Sequence, residues 1–443
     1  MVSHPIQQAL VLATRTVTIR GRTQPLPLVR SGGIPLIKRT LLTCKREGVR
    51  RFVVVYADTA VRNLVEADPQ LASLDITWVH DTARPTEDGH GLMLARPHLR
   101  GEFFLVPADR VFAPEILGRL LEEPLDGVTL AARQLANAEV EHTGIAAGGR
   151  ALLDAAEALA ADGGSLSFER VVDRLASEGR VRIAEVGTAY AQDLYTPQGR
   201  KAAQGLLIKA LRKSVDGIIA RHVNRRFSLA MSRWLMNTPV RPNHVTAFSL
   251  LISIAAAVAA GFASPTAPLW LAVGAVLWQL ASMLDGIDGE LARLKFAESK
   301  MGEWFDTLTD DIGKFAFFIG SGVGISAVTG QSVWLALCVV AVAVQMTLAI
   351  NLYRKLLRTG SGSHYALTWE TKPSNSLASR LYHRIEFMSR RDYYVFVWMV
   401  LAIFGLAHVG VIGMFLTTCV ILVHELVRPR QVREEFVVGP PAG

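Results

Sequence analysis

The sequence predicts a protein of two parts, an α/β domain followed by an all-α bundle of six transmembrane helices. In the first 200 residues, short apolar runs alternate with helical segments, an order typical of a parallel sheet covered on both faces. From residue 243 onward, long apolar spans follow one another, and half of the 443 residues are hydrophobic. A basic amphipathic stretch joins the two parts.

Five apolar runs are the strands that we predict for the α/β domain, which we place at residues 1–200. They are Gln8–Thr14, Phe52–Tyr56, Ile76–Val79, Phe103–Val106 and Val128–Ala131. Helical segments such as Ile34–Glu47 and Pro114–Glu122 separate them. Ligands of such sheets bind outside the carboxyl ends of the strands. Asp109, which closely follows the fourth run, is therefore a candidate site residue, and a turn or helix N-cap is the alternative.

The join, residues 201–242, alternates apolar and basic residues at helical spacing. Leu206 and Leu207 lie beside Lys209, and the same pattern continues to Trp234 and Leu235. Such a helix can lie in the headgroup layer of a membrane, with its cations toward anionic lipid. An ordinary solvated interdomain helix is the alternative.

Six apolar spans form the predicted bundle, residues 243–430, and residues 431–443 form a tail. The spans are 245–264, 267–284, 304–326, 333–352, 393–407 and 409–427. Several are near the ~20 residues that a bilayer crossing needs. The fifth is short, and Arg391 at its start could extend it by snorkelling.

The loops between the spans predict the orientation. On one side SPTAP, AVTGQS and AHV carry no charge, whereas those on the other side are rich in Lys and Arg. The positive-inside rule therefore places both termini on the cytoplasmic side of the inner membrane. Ser389, Arg390, Arg391 and Asp392 begin the fifth span, where basic residues set topology or bind a phosphate.

Charge and cysteine usage exclude some functions. The net charge of +8 fits an anionic membrane surface or nucleic acid, but no basic run is interleaved with aromatics, so we expect no nucleic-acid partner. The three cysteines lie far apart without metal-ligand spacing, and we expect free thiols.

The stretch DGIDGELARLKFAESKMGEWFDTLTD, residues 285–310, carries the predicted chemistry. Asp285 and Asp288 fall on one face of a helix, and Asp306 and Asp310, four apart, share another. Four converging carboxylates repel one another in an apolar setting unless they are protonated or bridged by cations. Oxygen ligands suit Mg²⁺, Mn²⁺ or Ca²⁺, and Mg²⁺ usually bridges carboxylates to substrate phosphates.

The same stretch contains residues suited to phosphate. Gly289 and Gly302 lack a Cβ, so a phosphate or ribose could approach the backbone closely. The planar guanidinium of Arg293 matches a phosphate. A charged helix hairpin, or a non-enzymatic scaffold with a cation site, would leave these three residues without a role. The pattern therefore predicts a metal site that handles phosphate.

These residues match D-x2-D-G-x2-A-R-x8-G-x3-D-x3-D at every fixed position, so residues 205–430 resemble the CDP-alcohol phosphotransferase family. The resemblance implies a membrane enzyme that moves a phosphoalcohol from a CDP-alcohol to an acceptor hydroxyl and releases CMP. It also implies two Mg²⁺ or Mn²⁺ ions and a homodimer formed through the membrane helices. Gly320, Gly322 and Gly324 are candidates for the close packing of that dimer.

The resemblance also implies residue roles. Asp285, Asp288 and Asp306 would bind the metals, and Asp310 would ligate one metal and act as general base. The residues that would hold the CDP part are Gly289, Ala292, Arg293, Ser299, Gly302, Asn243 and Thr246. The last two belong to a short pattern that is equally a good helix start, with Asn243 as its N-cap.

Residues 1–200 resemble the nucleotidyltransferases that join a sugar or inositol phosphate to a nucleotide, which implies a Rossmann-like nucleotidyltransferase fold. The resemblance rests on LVLAT, PLPLVRSGGIPLIKRTL and PADRVF. The phosphate-cradling Gly-rich loop of that family is here ATRTVTIRGRT, its Pro-Lys is Pro25-Leu26, and Tyr195 stands where a second carboxylate is expected. We therefore predict an inactive domain with a vestigial Asp109; a bifunctional enzyme that makes its CDP-alcohol from CTP is the alternative.

The fusion resembles enzymes that both make CDP-inositol and transfer its phosphoinositol to an inositol phosphate. Inositol phosphate is therefore the leading acceptor. A lipid alcohol acceptor, or a CDP-diacylglycerol donor in phospholipid synthesis, is the alternative.

Overall fold

The computed structural model contains two compact units, Met1–Ala210 and Leu211–Gly443. It describes residues 6–83, 88–122, 127–134, 140–162, 166–212, 217, 219–359, 367–368, 390–427 and 431–432. Most of the predicted tail, Ser389 and the basic segment before it lie outside the described residues.

The first unit is built on a seven-stranded sheet in the order β12-β10-β11-β8-β1-β6-β7. These strands are β1 Gln8–Ala13, β6 Arg51–Tyr56, β7 Asp75–His80, β8 Phe103–Pro107, β10 Val128–Gln134, β11 Val140–Gly148 and β12 Val181–Glu185. The five predicted strands are all present, and β1 pairs in parallel with β6 and β8. The sheet is mixed, however, because β11 runs antiparallel to β8 and to β10. The prediction of a parallel sheet is therefore confirmed for the pairs among β1, β6, β7 and β8 and for β10 with β12, but not for β11.

Short strands and helices surround this sheet. The short strands are β2 Thr16–Ile19, β3 Arg22–Pro25, β4 Arg30–Ser31, β5 Ile34–Pro35, β9 Arg110–Phe112 and β13 Ala191–Asp193. The helices are α1 Leu36–Arg46, α2 Thr59–Glu66, α3 Asp88–Ala95, α4 Glu115–Arg119, α5 Arg150–Ala161, α6 Phe168–Ser177 and α7 Pro197–Ala210. Alternate residues of β1 and β6, such as Leu10 and Val53, pack in one core with α3, α5 and α6. Val11 and Val54, on the opposite face, are equally buried, so the sheet is covered on both faces as predicted.

The second unit is helical. A π-helical turn at Ala220–Asn224 leads into α8 Arg225–Leu235, followed by α9 Pro242–Gly261, α10 Leu269–Lys295, α11 Lys300–Thr329, α12 Val333–Thr359, α13 Arg391–Ile403 and α14 Ala407–Val427. Two short strands, β14 Leu367–Thr368 and β15 Gln431–Val432, pair with each other. Helix α7 belongs to the first unit, so that unit includes the first part of the predicted join.

Five described helices, α9 to α12 and α14, are long and apolar enough to cross a membrane. The fifth predicted span forms α13, whose 13 residues rise only ~20 Å at 1.5 Å per residue. A bilayer core is about 30 Å thick. Five described helices therefore support the prediction of a membrane protein, and the count of six spans stays a prediction.

Glycines of α11 bring the helices of this unit close together. A Cβ at Gly320 would lie 2.1 Å from the Ala257 carbonyl oxygen, and one at Gly324 would lie 2.0 Å from that of Ala260. A Cβ at Gly322 would lie 2.9 Å from the Cβ of Cys338. These glycines therefore pack α11 against α9 and α12 within one chain. Their predicted use in a dimer interface was wrong.

The helices alternate in direction, so one end of the bundle collects several helix ends. Helix α10 ends there at Lys295 and α11 begins there at Lys300; we call this the motif end. Helix α12 runs back to it after a short turn at Gly330, and α13 begins there because Arg391 contacts Asp285 of α10. Helix α14 then returns to the motif end.

Candidate active site

Three carboxylates of the motif meet at this end. Helices α10 and α11 run in opposite directions, and carboxylate oxygens of Asp285, Asp306 and Asp310 lie within 4.8 Å of one another. Asp306 and Asp310 are one helical turn apart, so both point from α11 toward Asp285 on α10. The sequence spacing thus brings together two groups of carboxylates that could hold a cation.

The residues present fit a divalent cation. The Oδ1 atom of Asp306 is buried and has no hydrogen-bond partner among the described residues. A buried carboxylate oxygen without a partner is costly, and a cation would satisfy it. The donors are all carboxylate oxygens, which Mg²⁺ and Mn²⁺ prefer.

Asp288 lies beside this group but is held differently. The Thr246 hydroxyl donates to its Oδ2 at 2.5 Å, and the Gly289 N–H donates to its Oδ1 at 2.5 Å. Its side chain is buried. The structure therefore assigns Thr246, taken from the sequence as a nucleotide-pocket residue, a direct contact with a predicted metal ligand.

The two motif glycines differ in the space around them. A Cβ at Gly289 would have only the Arg293 Nη1 within 4 Å, at 3.5 Å. A Cβ at Gly302 would meet the Ser299 Oγ at 3.1 Å and the Asn243 Oδ1 at 3.5 Å. The backbone at Gly289 therefore has room for a ligand beside it, whereas Ser299 and Asn243 closely bound the space at Gly302.

Two of the predicted CDP-binding residues also have structural roles, and a third lacks the one that the sequence suggested. Ser299 is the N-cap of α11, since its Oγ accepts from the Gly302 N–H at 3.0 Å. The Ala292 carbonyl accepts from the Ala297 N–H at 2.8 Å and so closes the end of α10. Asn243 lies in the first turn of α9, whose N-cap is Arg241, so the N-cap alternative for Asn243 was wrong.

Arg391 is the main residue whose position the sequence did not reveal. Its Nη1 atom lies 3.1 Å from Asp285 Oδ2 and forms an ion pair with Asp310. The neighbouring Asp392 accepts from the Ala220 N–H at 2.8 Å, which fixes the start of α13. Arg391 therefore compensates two of the clustered carboxylates, although it is 81 positions from Asp310 in the sequence.

Glu290, inside the motif, was also missed. It is fully buried and accepts from Arg225 Nη1 at 2.6 Å, Ser228 Oγ at 2.7 Å and Ser232 Oγ at 2.6 Å. The contact attaches α8, the second half of the predicted join, to α10. Two residues after Asp288, Glu290 points about 200° away from it, which was the signal that could have found it.

In the first unit, the segment expected to form a phosphate-binding loop is instead a β-hairpin. Residues 16–25 form the hairpin β2–β3, with positive φ at Arg20 and Gly21 in the turn. Its backbone groups pair with each other rather than facing a ligand. Leu26, which replaces the lysine, is fully buried, and its N–H donates to the Arg15 carbonyl at 2.8 Å.

Asp109 is fully engaged by its neighbours. Arg110 Nε donates to its Oδ1 at 2.6 Å, and the Tyr195 hydroxyl donates to its Oδ2 at 2.6 Å. Burial raises the pKa of Tyr195, and the charge of Asp109 raises it further, so this hydroxyl stays protonated. Nearby, Arg15 and Asp88 form a two-bond ion pair at 2.6 and 3.2 Å. Side chains of the domain itself therefore occupy both carboxylate oxygens.

Comparison with known families agrees with this geometry. Residues 239–423 match the family model described as CDP-alcohol phosphatidyltransferase. Helices α10 and α11, with the whole carboxylate cluster, lie inside that range. The second unit is therefore similar to the CDP-alcohol phosphatidyltransferase family over most of its length. Residues 20–178 match the MobA-like NTP transferase domain, so the chain combines two transferase-type domains.

Two curated relatives share both parts. The bifunctional IPC transferase and DIPP synthase of Thermococcus kodakarensis is 27% identical over 328 residues, covering 69% of this chain and 73% of the relative. The protein of the same name from Aquifex aeolicus is 27% identical and covers 66% and 71%, respectively. The solved inositol-1-phosphate CTP transferase from T. maritima covers 44% of this chain and 91% of its own, at 17% identity and a TM-score of 0.39. The chain is therefore a transferase, and five of its described helices are long and apolar enough to cross a membrane.

Proposed function

We propose that the second unit transfers a phosphoalcohol group from a CDP-alcohol to an acceptor hydroxyl in a metal-dependent reaction that releases CMP. The observation that carries this is the meeting of Asp285, Asp306 and Asp310, with a buried unpaired oxygen on Asp306. Gly289 and Arg293 lie on the same helix as Asp285, where a diphosphate would need close backbone approach and a cation. A carboxylate cluster with only a structural role would not need a glycine and an arginine beside it.

The proposed metal ligands are Asp285, Asp288, Asp306 and Asp310, which would hold two Mg²⁺ or Mn²⁺ ions. When bound, such ions neutralise negative charge on the diphosphate and on the departing CMP. Arg293 would donate to a phosphate oxygen. Gly289, Ala292, Ser299, Gly302, Asn243 and Thr246 would bound the space for the rest of the CDP part.

Asp310 is the proposed general base. The acceptor hydroxyl oxygen attacks the β-phosphorus and gives its proton to the Asp310 carboxylate. The bond from that phosphorus to the oxygen of CMP breaks, and CMP leaves with the electron pair. Arg391 supports the ionised form of Asp310, since a guanidinium beside a carboxylate stabilises its charge.

The choice of candidate substrates rests on the names of the relatives and on a cavity in the second unit. The names of the relatives direct the first test to inositol phosphate as acceptor and to a CDP-inositol donor. A lipid alcohol is the second candidate, and a cavity of about 430 Å³ among α11, α12, α13 and α14, whose lining includes Phe318, Leu401 and Met414, favours it. A non-enzymatic scaffold remains the rival from another class, and CMP formation from any CDP-alcohol would exclude it.

We propose that the chain is a multi-pass protein of the inner membrane, with both termini and the active site on the cytoplasmic side. The charge asymmetry of its loops supports this orientation. The basic helix α8, with Trp234 exposed, would lie in the headgroup layer among membrane lipids. We also propose that the domains of the chain end where the sequence predicts, at residues 200, 242 and 430.

We further propose a homodimer formed through the membrane helices, as the family resemblance implies. Gly320, Gly322 and Gly324 do not support it, because they pack within the chain. We expect mass photometry in nanodiscs to give twice the protomer mass. A single protomer mass across several detergents and nanodiscs would contradict the dimer.

We propose that the first unit makes no CDP-alcohol. With CTP, Mg²⁺ and inositol 1-phosphate, the full-length protein should release no pyrophosphate above background. Nucleotidyl transfer needs donors and cations around the α-phosphate. Here the β2–β3 hairpin pairs its backbone groups within itself, and Leu26 is buried where the lysine is expected. The nearby cations Arg15 and Arg110 are held in ion pairs with Asp88 and Asp109.

The matched control is the variant Asp109→Ala, assayed for pyrophosphate in parallel. Deleting residues 1–195 should lower expression or stability but spare transfer from a supplied CDP-alcohol. Pyrophosphate release that disappears in Asp109→Ala would overturn the proposal and make the protein bifunctional.

A further inference from the structure

We propose that Lys295, the last residue of α10, is a positioning residue for the donor site. The inference rests on the proposed function, because the residues that Lys295 positions are among those proposed to hold the CDP part. The Lys295 Nζ donates to the Thr238 carbonyl at 2.8 Å and to the Val240 carbonyl at 2.7 Å. The ammonium thus ties the end of α10 to the segment between α8 and α9.

This connecting segment, residues 236–241, has few backbone donors of its own. Pro239 lies within the segment and Pro242 follows it, and neither has an N–H group. A hydrogen bond from an ionised donor is stronger than one between neutral groups. The two bonds from the Lys295 ammonium, to carbonyls on either side of Pro239, therefore fix the path of the segment.

The connecting segment leads directly into the first turns of α9, which carry two of the proposed donor-site residues. The Asn243 Oδ1 lies 3.5 Å from the position of a Cβ at Gly302. The Thr246 hydroxyl donates to Asp288 Oδ2 at 2.5 Å. A shift at the start of α9 would move both side chains, so Lys295 sets where they meet the motif.

Lys295 itself is directed away from the phosphate site. It lies two residues after Arg293 on α10, so its side chain leaves the helix about 200° away from that of Arg293. Its ammonium is engaged by two carbonyls of the connecting segment. As a cation in the last turn of α10, it also suits the partial negative charge of a helix C-terminus. Lys295 therefore acts through the backbone of the segment rather than on the substrate.

Helix α8, on the other side of the connecting segment, is held to α10 by a different contact. Arg225 Nη1 donates to Glu290 Oε1 at 2.6 Å. The Thr238 N–H donates to the Leu235 carbonyl at 3.0 Å, where α8 ends. Loss of the Lys295 bonds should therefore release the connecting segment and the start of α9 but leave α8 attached.

The test uses the full-length protein in nanodiscs and the variant Lys295→Met, whose side chain has a similar length but no N–H. Lys295→Arg keeps the charge and the donors and is the conservative variant. Lys300→Met, at an exposed position at the start of α11, is the matched control. Hydrogen exchange of residues 225–246 is followed by mass spectrometry and CDP binding by calorimetry. CMP release is measured from CDP-inositol with inositol 1-phosphate.

We expect exchange at residues 236–246 to be about tenfold faster or more in Lys295→Met, since the loss of one bond from a charged donor corresponds to roughly tenfold in an equilibrium constant. Residues 225–235 should exchange as in the wild type. The Kd for CDP and the KM for the CDP-alcohol should rise by a similar factor, while kcat changes little. Lys295→Arg should recover most of the loss, and Lys300→Met should behave like the wild type.

Three results would overturn the inference. Unchanged exchange at residues 236–246 in Lys295→Met would show that Lys295 does not fix the segment, and this readout holds even if no CDP-alcohol releases CMP and the proposed function itself fails. Faster exchange with an unchanged Kd for CDP would limit the contact to the fold. A lower kcat at constant KM, without recovery in Lys295→Arg, would assign Lys295 to the chemistry instead.

Discussion

Replacing Asp310 by Asn should lower the turnover of CMP release by about 10²–10⁴-fold, the usual contribution of a general base. An amide has nearly the same shape as the carboxylate and can still accept a bond from Arg391. It cannot take the proton of the acceptor hydroxyl. CDP-alcohol binding, measured by calorimetry, should therefore change much less than turnover.

The matched control is Glu303→Gln, an equal change at an exposed position on the same helix, outside the carboxylate cluster. It should leave turnover and binding near the wild-type values. If Asp310→Asn lost donor binding and rate in parallel, Asp310 would be chiefly a metal ligand, and the proton acceptor would have to be another group.

Replacing Asp306 by Asn should abolish most metal binding and with it most activity, while the fold is retained. Asp306 carries the buried oxygen without a partner, so its charge is the one that a cation would most directly satisfy. Substitutions of outer-shell partners already cost roughly 10–100-fold in metal affinity, and we expect a loss at least that large here. Mn²⁺ binding followed by electron paramagnetic resonance gives the affinity independently of activity.

In the same experiment EDTA should stop CMP release by the wild type, and added Mg²⁺ should restore it. Unchanged Mn²⁺ affinity in Asp306→Asn, or full activity in EDTA, would contradict the metal assignment. A circular dichroism spectrum like that of the wild type is the control for folding.

Local spacing explains why the carboxylate site could be predicted. Asp306 and Asp310 are one turn apart, and a short loop reverses the chain between α10 and α11, so the two halves had to meet. Five strands of the first unit's main sheet could also be predicted, because each is a short apolar run. Strands β11 and β12 were missed, because charged residues interrupt their sequences, VEHTGIAAG and VRIAE. The antiparallel direction of β11 could not be predicted either, since the pattern of apolar residues carries no information about direction.

Long-range contacts explain what the sequence did not show. Arg391 reaches Asp285 and Asp310 only because α13 packs against α10 at the motif end. Similarly, Glu290 gains its partner Arg225 only because α8 lies beside it. The three glycines of α11 were misassigned for a different reason. Small residues allow close helix packing both within a chain and between chains, and these glycines pack within the chain. Such choices depend on which surfaces meet, and side-chain type alone does not decide them.

Metal-dependent transfer by this protein is tested most directly by measuring CMP release by the purified full-length protein from a panel of CDP-alcohols, each offered with soluble and lipid hydroxyl acceptors. We expect stoichiometric formation of CMP and of a phosphodiester product from at least one pair, only with Mg²⁺ or Mn²⁺ present. No CMP from any pair, or CMP formed equally well in EDTA, would contradict it.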